Sequence, residues 1–192
     1  VVTVAAALAA ALAFLTARID GISMMPTARD GDAVVVDRLD LLRSQPLGRG
    51  DVVAVLQPNG VAAMKRVIAL PGDTIEIEGV QQNDPTGRRH PVVLLWPAEG
   101  GGPERLEEPY IASDWGSHDS CCTADGRATA APTPVRLPDG QYFVLGDNRA
   151  VSVDSRSFGL VSGDRIVGRA LWRYWPLDRT GNLAGGLTLV PG

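Results

Sequence analysis

The chain has 192 residues, 45% of them hydrophobic and 21% charged, with a net charge of −4. That length holds one good-sized domain, or a domain with an insertion, around a real core. The mildly acidic balance and the lack of any basic block argue against nucleic acid as a partner, and 22 glycines with 14 prolines indicate a turn-rich β body rather than a helical bundle.

In chain order, the N-terminus VVTVAAALAAALAFLTA runs 17 residues without a charge. It is at the short end for a membrane span of about 20 residues. It fits a membrane anchor, a secretory signal cleaved near Leu15-Thr16-Ala17, or a buried core helix. Ser23, set directly after it with no room for a linker, favours the anchor. The chain does not open on a methionine, which suggests a fragment whose further span or cytoplasmic lead has been removed.

Beyond Ile19 the sequence changes to short apolar runs separated by Gly-Asp turns. Strands are expected at Ala33–Val36, Val52–Val55, Met64–Leu70 and Thr74–Ile77, and again at Gln141–Leu145 and Arg165–Trp175. Residues 80–138 scatter Pro, Gly and charge among short pieces such as Val92–Trp96, and read as an insertion with a strand or two of its own. The Gly-rich close, residues 179–192, reads as a flexible tail.

Three clusters could carry chemistry. Of 18 Lys and Arg residues, Lys65 is the one lysine. Arginine stays protonated, so Lys65 is the one side-chain amine able to act as a neutral base. Strand alternation puts it among Ala63, Val67 and Ala69, where desolvation lowers an amine's pKa; a lysine at a strand edge, reaching to water, is the alternative. In GISMMPT, Gly21 allows a tight turn before Ser23 and Pro26 restrains the chain after it. That suits a nucleophile whose own N–H faces an oxyanion, and equally a structural turn serine. The third cluster is GDNRAVSVDSRSFG, residues 146–159. An extended chain would place Ser152, Asp154 and Arg156 on one face, with Ser152 orienting the lysine amine and Asp154–Arg156 as a structural ion pair. A polar hairpin turn with a surface ion pair is the alternative.

Other groups add less. His90 and His118 are the only histidines, and no G-x-S-x-G elbow occurs, so a serine–histidine hydrolase is improbable. Adjacent Cys121 and Cys122 do not suit a zinc knuckle. A metal site completed by His118 and Asp119, a vicinal or intermolecular disulfide, and two free thiols all stay open.

Taken in order, Ser-Met-x-Pro-Thr, then Lys-Arg before Pro-Gly-Asp, then Gly-Asp-Asn-Arg followed by Ser-x-Asp-Ser-Arg resembles the bacterial type I signal peptidases. RGDVVAV at 49–55 and FGLVSGDRIVGRALWRYWP at 158–176 resemble that family too. The resemblance covers residues 1–79 and 139–177. It implies a membrane-anchored serine endopeptidase that removes signal peptides from secretory preproteins after small residues at −1 and −3. Ser23 would be the nucleophile, Lys65 the general base, and Ser152 the residue that orients the amine. The Ser23 backbone N–H would supply one oxyanion donor. Some family members have a serine at the position held here by Gly21, which offers no hydroxyl, so the second donor stays open, with a backbone N–H as a candidate. Ile19 and Met64 match positions that line the substrate pockets. The family's last box often has Asp-Asn after Gly-Asp-Asn-Arg; here Ala150-Val151 stands instead.

The expected architecture is mostly β: an N-terminal transmembrane helix at 1–17, then a catalytic body of antiparallel sheet from 18–79 and 139–178. The insertion (80–138) and the tail (179–192) complete it. The expected location is the cell membrane, single-pass, with the catalytic domain on the extracytoplasmic side and in contact with lipid. No cofactor and no metal are needed by a Ser/Lys mechanism. A specialised Ser/Lys peptidase maturing one exported protein would carry the same motifs and differ only in substrate breadth. A self-cleaving Ser/Lys repressor would need a DNA-binding helical domain where this chain is apolar. An inactive membrane-tethered β-domain that merely binds partners would have no need to keep both Ser23 and Lys65.

Overall fold

A computed structural model describes residues 13–38, 46–83, 89–111, 115 and 120–192. Its strands are β1 (Phe14–Arg18), β2 (Ala33–Asp37), β3 (Val52–Leu56), β4 (Ala62–Ala69), β5 (Thr74–Asn83), β6 (Arg89–Trp96), β7 (Glu104–Glu107) and β8 (Val135–Arg136). After them come β9 (Gln141–Leu145), a one-turn helix α1 (Ser155–Phe158), β10 (Val161–Ser162), β11 (Ile166–Trp175), β12 (Gly181–Asn182) and β13 (Thr188–Pro191). All named pairings are antiparallel. The first sheet runs β1-β2-β11-β3-β4-β9-β10, with β12 added on β11; the second runs β13-β7-β6-β5-β8.

The first sheet buries both its faces, and this explains the unbroken apolar runs of its inner strands. On β3, Val52 and Ala54 enter one cluster with Met24, Val34, Val36 and Ala170. Val53 and Val55 enter another with Leu47, Val67, Val144 and Ile166. A strand covered on both sides needs apolar residues at every position, not at alternate ones. A third cluster joins the sheets: Ile68, Phe143 and Leu145 pack with Ile75, Ile77, Leu95 and Trp115. A register shift between Val67 and Ala69 lets Ile68 and Ala69 both enter it.

Three sequence expectations change here. The anchor helix was expected over 1–17, of which residues 1–12 lie outside the described residues. Phe14–Ala17 belong to β1, which pairs with the otherwise open edge of β2 through Thr16–Val35 and its neighbours. Among the described residues no helix is long and apolar enough to cross a membrane. Second, β5 sits wholly in the second sheet, so the catalytic body expected to run to 79 gives up its last strand there. Third, the closing segment expected as a flexible tail adds β12 to β11 and β13 to β7. Backbone pairing at open sheet edges holds it, which its glycine content does not reveal.

Candidate active site

β4 lies between β3 and β9, in the interior of the first sheet, so a side chain at its centre is shut off from water. Lys65 stands there opposite Val53 and is 1% exposed. Burial, the largest influence, lowers its pKa; Asp154 and Asp147 oppose this, and Arg156 adds to it. The amine lies 3.2 Å from Ser23 Oγ and donates to the Met64 carbonyl at 3.0 Å. The buried lysine expected from strand alternation is what the structure contains, and the edge alternative fails because β4 has neighbours on both sides.

Ser23 is half-buried, in the turn that follows β1. Gly21 has φ +105°, a conformation that side chains with a Cβ rarely adopt. Its N–H donates to Asp30 Oδ1 at 2.9 Å. Met24, 1% exposed, pins the turn into the core. Ile19 and Met64 are both partly buried against that same cluster. Among the described residues the Ser23 N–H donates to no group.

The third cluster reaches Ser23 as a wrapped loop, not as an extended strand. Residues 148–152 turn on the Asn148 carbonyl, which accepts the N–H of Ser152 at 3.0 Å, and Asp154 caps α1. Ser152, Asp154 and Arg156 therefore do not share a strand face, because side-chain acceptors at a helix start outcompete extension. Asn148 clamps the Ser23 turn: its N–H donates to the Ser23 carbonyl at 3.0 Å and its amide to Ile22 O at 3.2 Å. A Cβ on Gly146 would fall 2.5 Å from Ser23 O and collide with Ser152 Oγ, so only glycine lets the two segments meet. Ser152 Oγ is buried and has no hydrogen-bond partner among the described residues; the Lys65 amine donates to Ser23 Oγ and Met64 O.

Charged pairs brace this loop. Asp154 accepts from Arg156 Nε and Nη2, both at 2.9 Å, and from the Gly146 N–H at 3.0 Å. Sequence reasoning missed the pair Arg66–Asp147, at 2.9 and 2.7 Å, whose arginine also donates to Gly50 O and Gly185 O. The adjacency of Arg66 to Lys65 and of Asp147 to Gly146 was the available signal. It also missed Asp32, buried beneath the Ser23 turn with Arg173 and Arg179. Cys121 and Cys122 form a vicinal disulfide, so neither the free-thiol nor the intermolecular alternative applies. His118 and Asp119, offered with them as metal ligands, lie outside the described residues. Among the described residues no cluster of His, Cys, Asp and Glu could hold a metal.

Ser23 Oγ thus lies against a buried amine whose pKa is held below the ordinary lysine value. The family model described as "Signal peptidase, peptidase S26" matches residues 1–175. The chain is 35% identical over 179 residues to a probable signal peptidase I-1 of Synechocystis, covering 88% of this chain and 74% of that one. It is 33% identical to signal peptidase IB of Staphylococcus aureus, covering 83% and 77%. A crystal structure of a signal peptidase I from Enterococcus faecalis aligns with TM-score 0.45 and 29% identity, over 65% of this chain and 97% of that one. The chain belongs to the signal peptidase family, peptidase S26, as a serine endopeptidase of the bacterial type I class. The family match spans residues 80–138 as well, which the sequence motifs had left outside the resemblance.

Proposed function

We propose that this chain cleaves signal peptides from secretory preproteins by a Ser23/Lys65 dyad, after small residues at −1 and −3. The observation that carries the reading is the 3.2 Å contact between Ser23 Oγ and a lysine amine that is 1% exposed. A neutral Lys65 amine accepts the Ser23 proton as Oγ attacks the scissile carbonyl carbon. The C=O π pair moves onto oxygen, and the resulting ammonium then protonates the leaving amide nitrogen as the C–N bond breaks. Water, deprotonated by the regenerated amine, hydrolyses the acyl-enzyme and returns Ser23. The Ser23 N–H is available to the oxyanion. Gly21 spends its own N–H on Asp30, which argues that the second donor comes from elsewhere.

Ser152 orients the amine in this scheme. In support, its hydroxyl is buried in the loop wrapped on Ser23 with no partner among the described residues, and buried polar groups seldom stay unpaired without a reason. Ile19 and Met64, half-buried beside the turn, line the pocket for the small residues. Single-pass membrane anchoring, with the catalytic body on the extracytoplasmic side against lipid, suits a substrate whose cleavage point lies at the bilayer surface. Exposed Ile22 and Met25, which flank Ser23 in its turn, support that placement.

The test is cleavage of a preprotein in detergent or vesicles. Ser23→Ala should abolish processing with an unchanged melting temperature. Activity within about tenfold of wild type would remove Ser23 as nucleophile.

A further inference from the structure

We propose that Glu108 and Trp115, contributed by residues outside the first sheet, are positioning residues for the reaction: they hold Arg149, and through it the 146–152 loop, against Ser23 and Lys65. The side chain of Arg149 is 0% exposed. A buried guanidinium without a countercharge is prohibitively costly, and Glu108, 7% exposed, meets it with both oxygens, one at 2.7 Å. The Tyr110 hydroxyl donates to the same carboxylate, fixing its orientation. Trp115, 3% exposed, supplies a flat wall on which Arg149 and Arg156 both rest, at 4.4 and 5.3 Å from the ring centre.

What Arg149 does with that support points to the active site rather than to general packing. Its Nε donates to Gly146 O at 3.0 Å, at the residue whose missing Cβ lets Ser23 and Ser152 approach. Its own carbonyl accepts from Arg156 Nη2 at 2.9 Å, and Arg156 in turn is held by Asp154. One arginine thus ties the start of the loop to its end, and Asn148 between them clamps the Ser23 carbonyl. The same strip of chain touches the base's neighbour, since Arg66 lies over the Tyr110 ring at 4.2 Å. Glu108, Tyr110 and Trp115 therefore brace the loop from the second-sheet side.

This inference rests on the Ser23/Lys65 reading, and the experiment separates the two. The full chain, in detergent with a preprotein substrate, is assayed as Glu108→Gln, Trp115→Leu and Trp115→Phe, with Lys65→Met as reference and Glu107→Gln, an exposed neighbour, as control. The expected result for Glu108→Gln and Trp115→Leu is a kcat about tenfold or more below wild type, with KM changed by less than about threefold. The alkaline inflection of the rate should also move upward, toward the ordinary lysine value of about 10.4, as a loosened loop admits water to Lys65. Trp115→Phe should recover most of the loss, and Glu107→Gln should match wild type. Folded variants with kcat within about twofold of wild type and an unmoved inflection would overturn the proposal, as would a rise in KM alone. If Glu108→Gln does not fold, Trp115→Leu, which removes no charge, is judged by the same readouts. A Lys65→Met enzyme with normal turnover would instead end the dyad reading itself.

Discussion

The two halves of the proposed dyad sit in opposite kinds of structure. Lys65 is at the centre of an inner strand with paired neighbours on both sides, dry and rigid. Ser23 is in a half-buried turn, held by Met24 in the core, by Asp30 at Gly21, and by Asn148 and Gly146 from a distant loop. The difference follows the demands on each group. A lysine works as a base near neutral pH only if burial makes its charge unfavourable, and a nucleophile works only if substrate can reach it. The strand supplies the first condition and the turn the second, so the contact between them depends on whatever presses the turn onto the sheet.

The largest effect should come from the rigid half. Lys65→Arg keeps the charge, yet guanidinium cannot lose its proton in the working range. Activity should fall as far as in Lys65→Ala; near-normal turnover by the arginine enzyme would show that Lys65 only pairs with a carboxylate.

Next is the clamp. Gly146→Ala forces a methyl against Ser23 O and Ser152 Oγ. It should cost about 10- to 100-fold in kcat, because displacing a nucleophile by a fraction of an ångström already disrupts attack geometry. Wild-type kinetics in this variant would mean the loop and the turn are not pressed together during catalysis.

The ion pair behind the clamp should show first in stability. Asp154→Asn removes the charge of the carboxylate that Arg156 Nε and Nη2 both donate to, and breaking a buried pair costs about 3–5 kcal/mol. Calorimetry should register a clearly lower melting temperature, and an unchanged one with dead chemistry would place Asp154 beside the reacting atoms.

The pH profile sharpens the contrast further. The rate should rise with pH through an inflection below the ordinary lysine value, since burial lowers the Lys65 pKa. Stability carries the same sign. The unfolded chain holds this proton up to about pH 10.4 while the folded chain releases it earlier, so between those points the unfolded state binds more protons and stability rises with pH. Below the folded pKa the full burial cost is present. A rate flat from about pH 6 to 10 would contradict a lysine base.

The smallest effect belongs to the edge of the turn. Asp30 is exposed, and Asp30→Ala removes one hydrogen bond, to the Gly21 N–H. A loss of about threefold or less is expected. A collapse comparable to Gly146→Ala would mean that Gly21 sets the position of Ser23 more than the clamp does.

How much was legible beforehand depended on how local each signal is. Strands β2, β3, β4 and β9 were readable because Gly-Asp turns and β-branched runs are neighbours in sequence. Lys65 was conspicuous as the one lysine, and Ser23 through the glycine and proline around its turn. Asp154 beside Arg156 was readable for the same reason. The sequence by itself therefore determined a β-rich chain carrying a serine, a lysine and a polar loop of the signal peptidase pattern. Tertiary structure alone decided the rest. Alternation suggested an extended 152–156 segment, yet Asp154 caps a helical turn there. Residues 14–17 looked like the end of an anchor until the open edge of β2 recruited them. Nothing near Glu108 or Trp115 marks them as partners of Arg149, because that pairing spans 41 residues and two sheets. A buried charge takes its countercharge from whichever segment folding brings against it, and neither propensity nor periodicity encodes that choice.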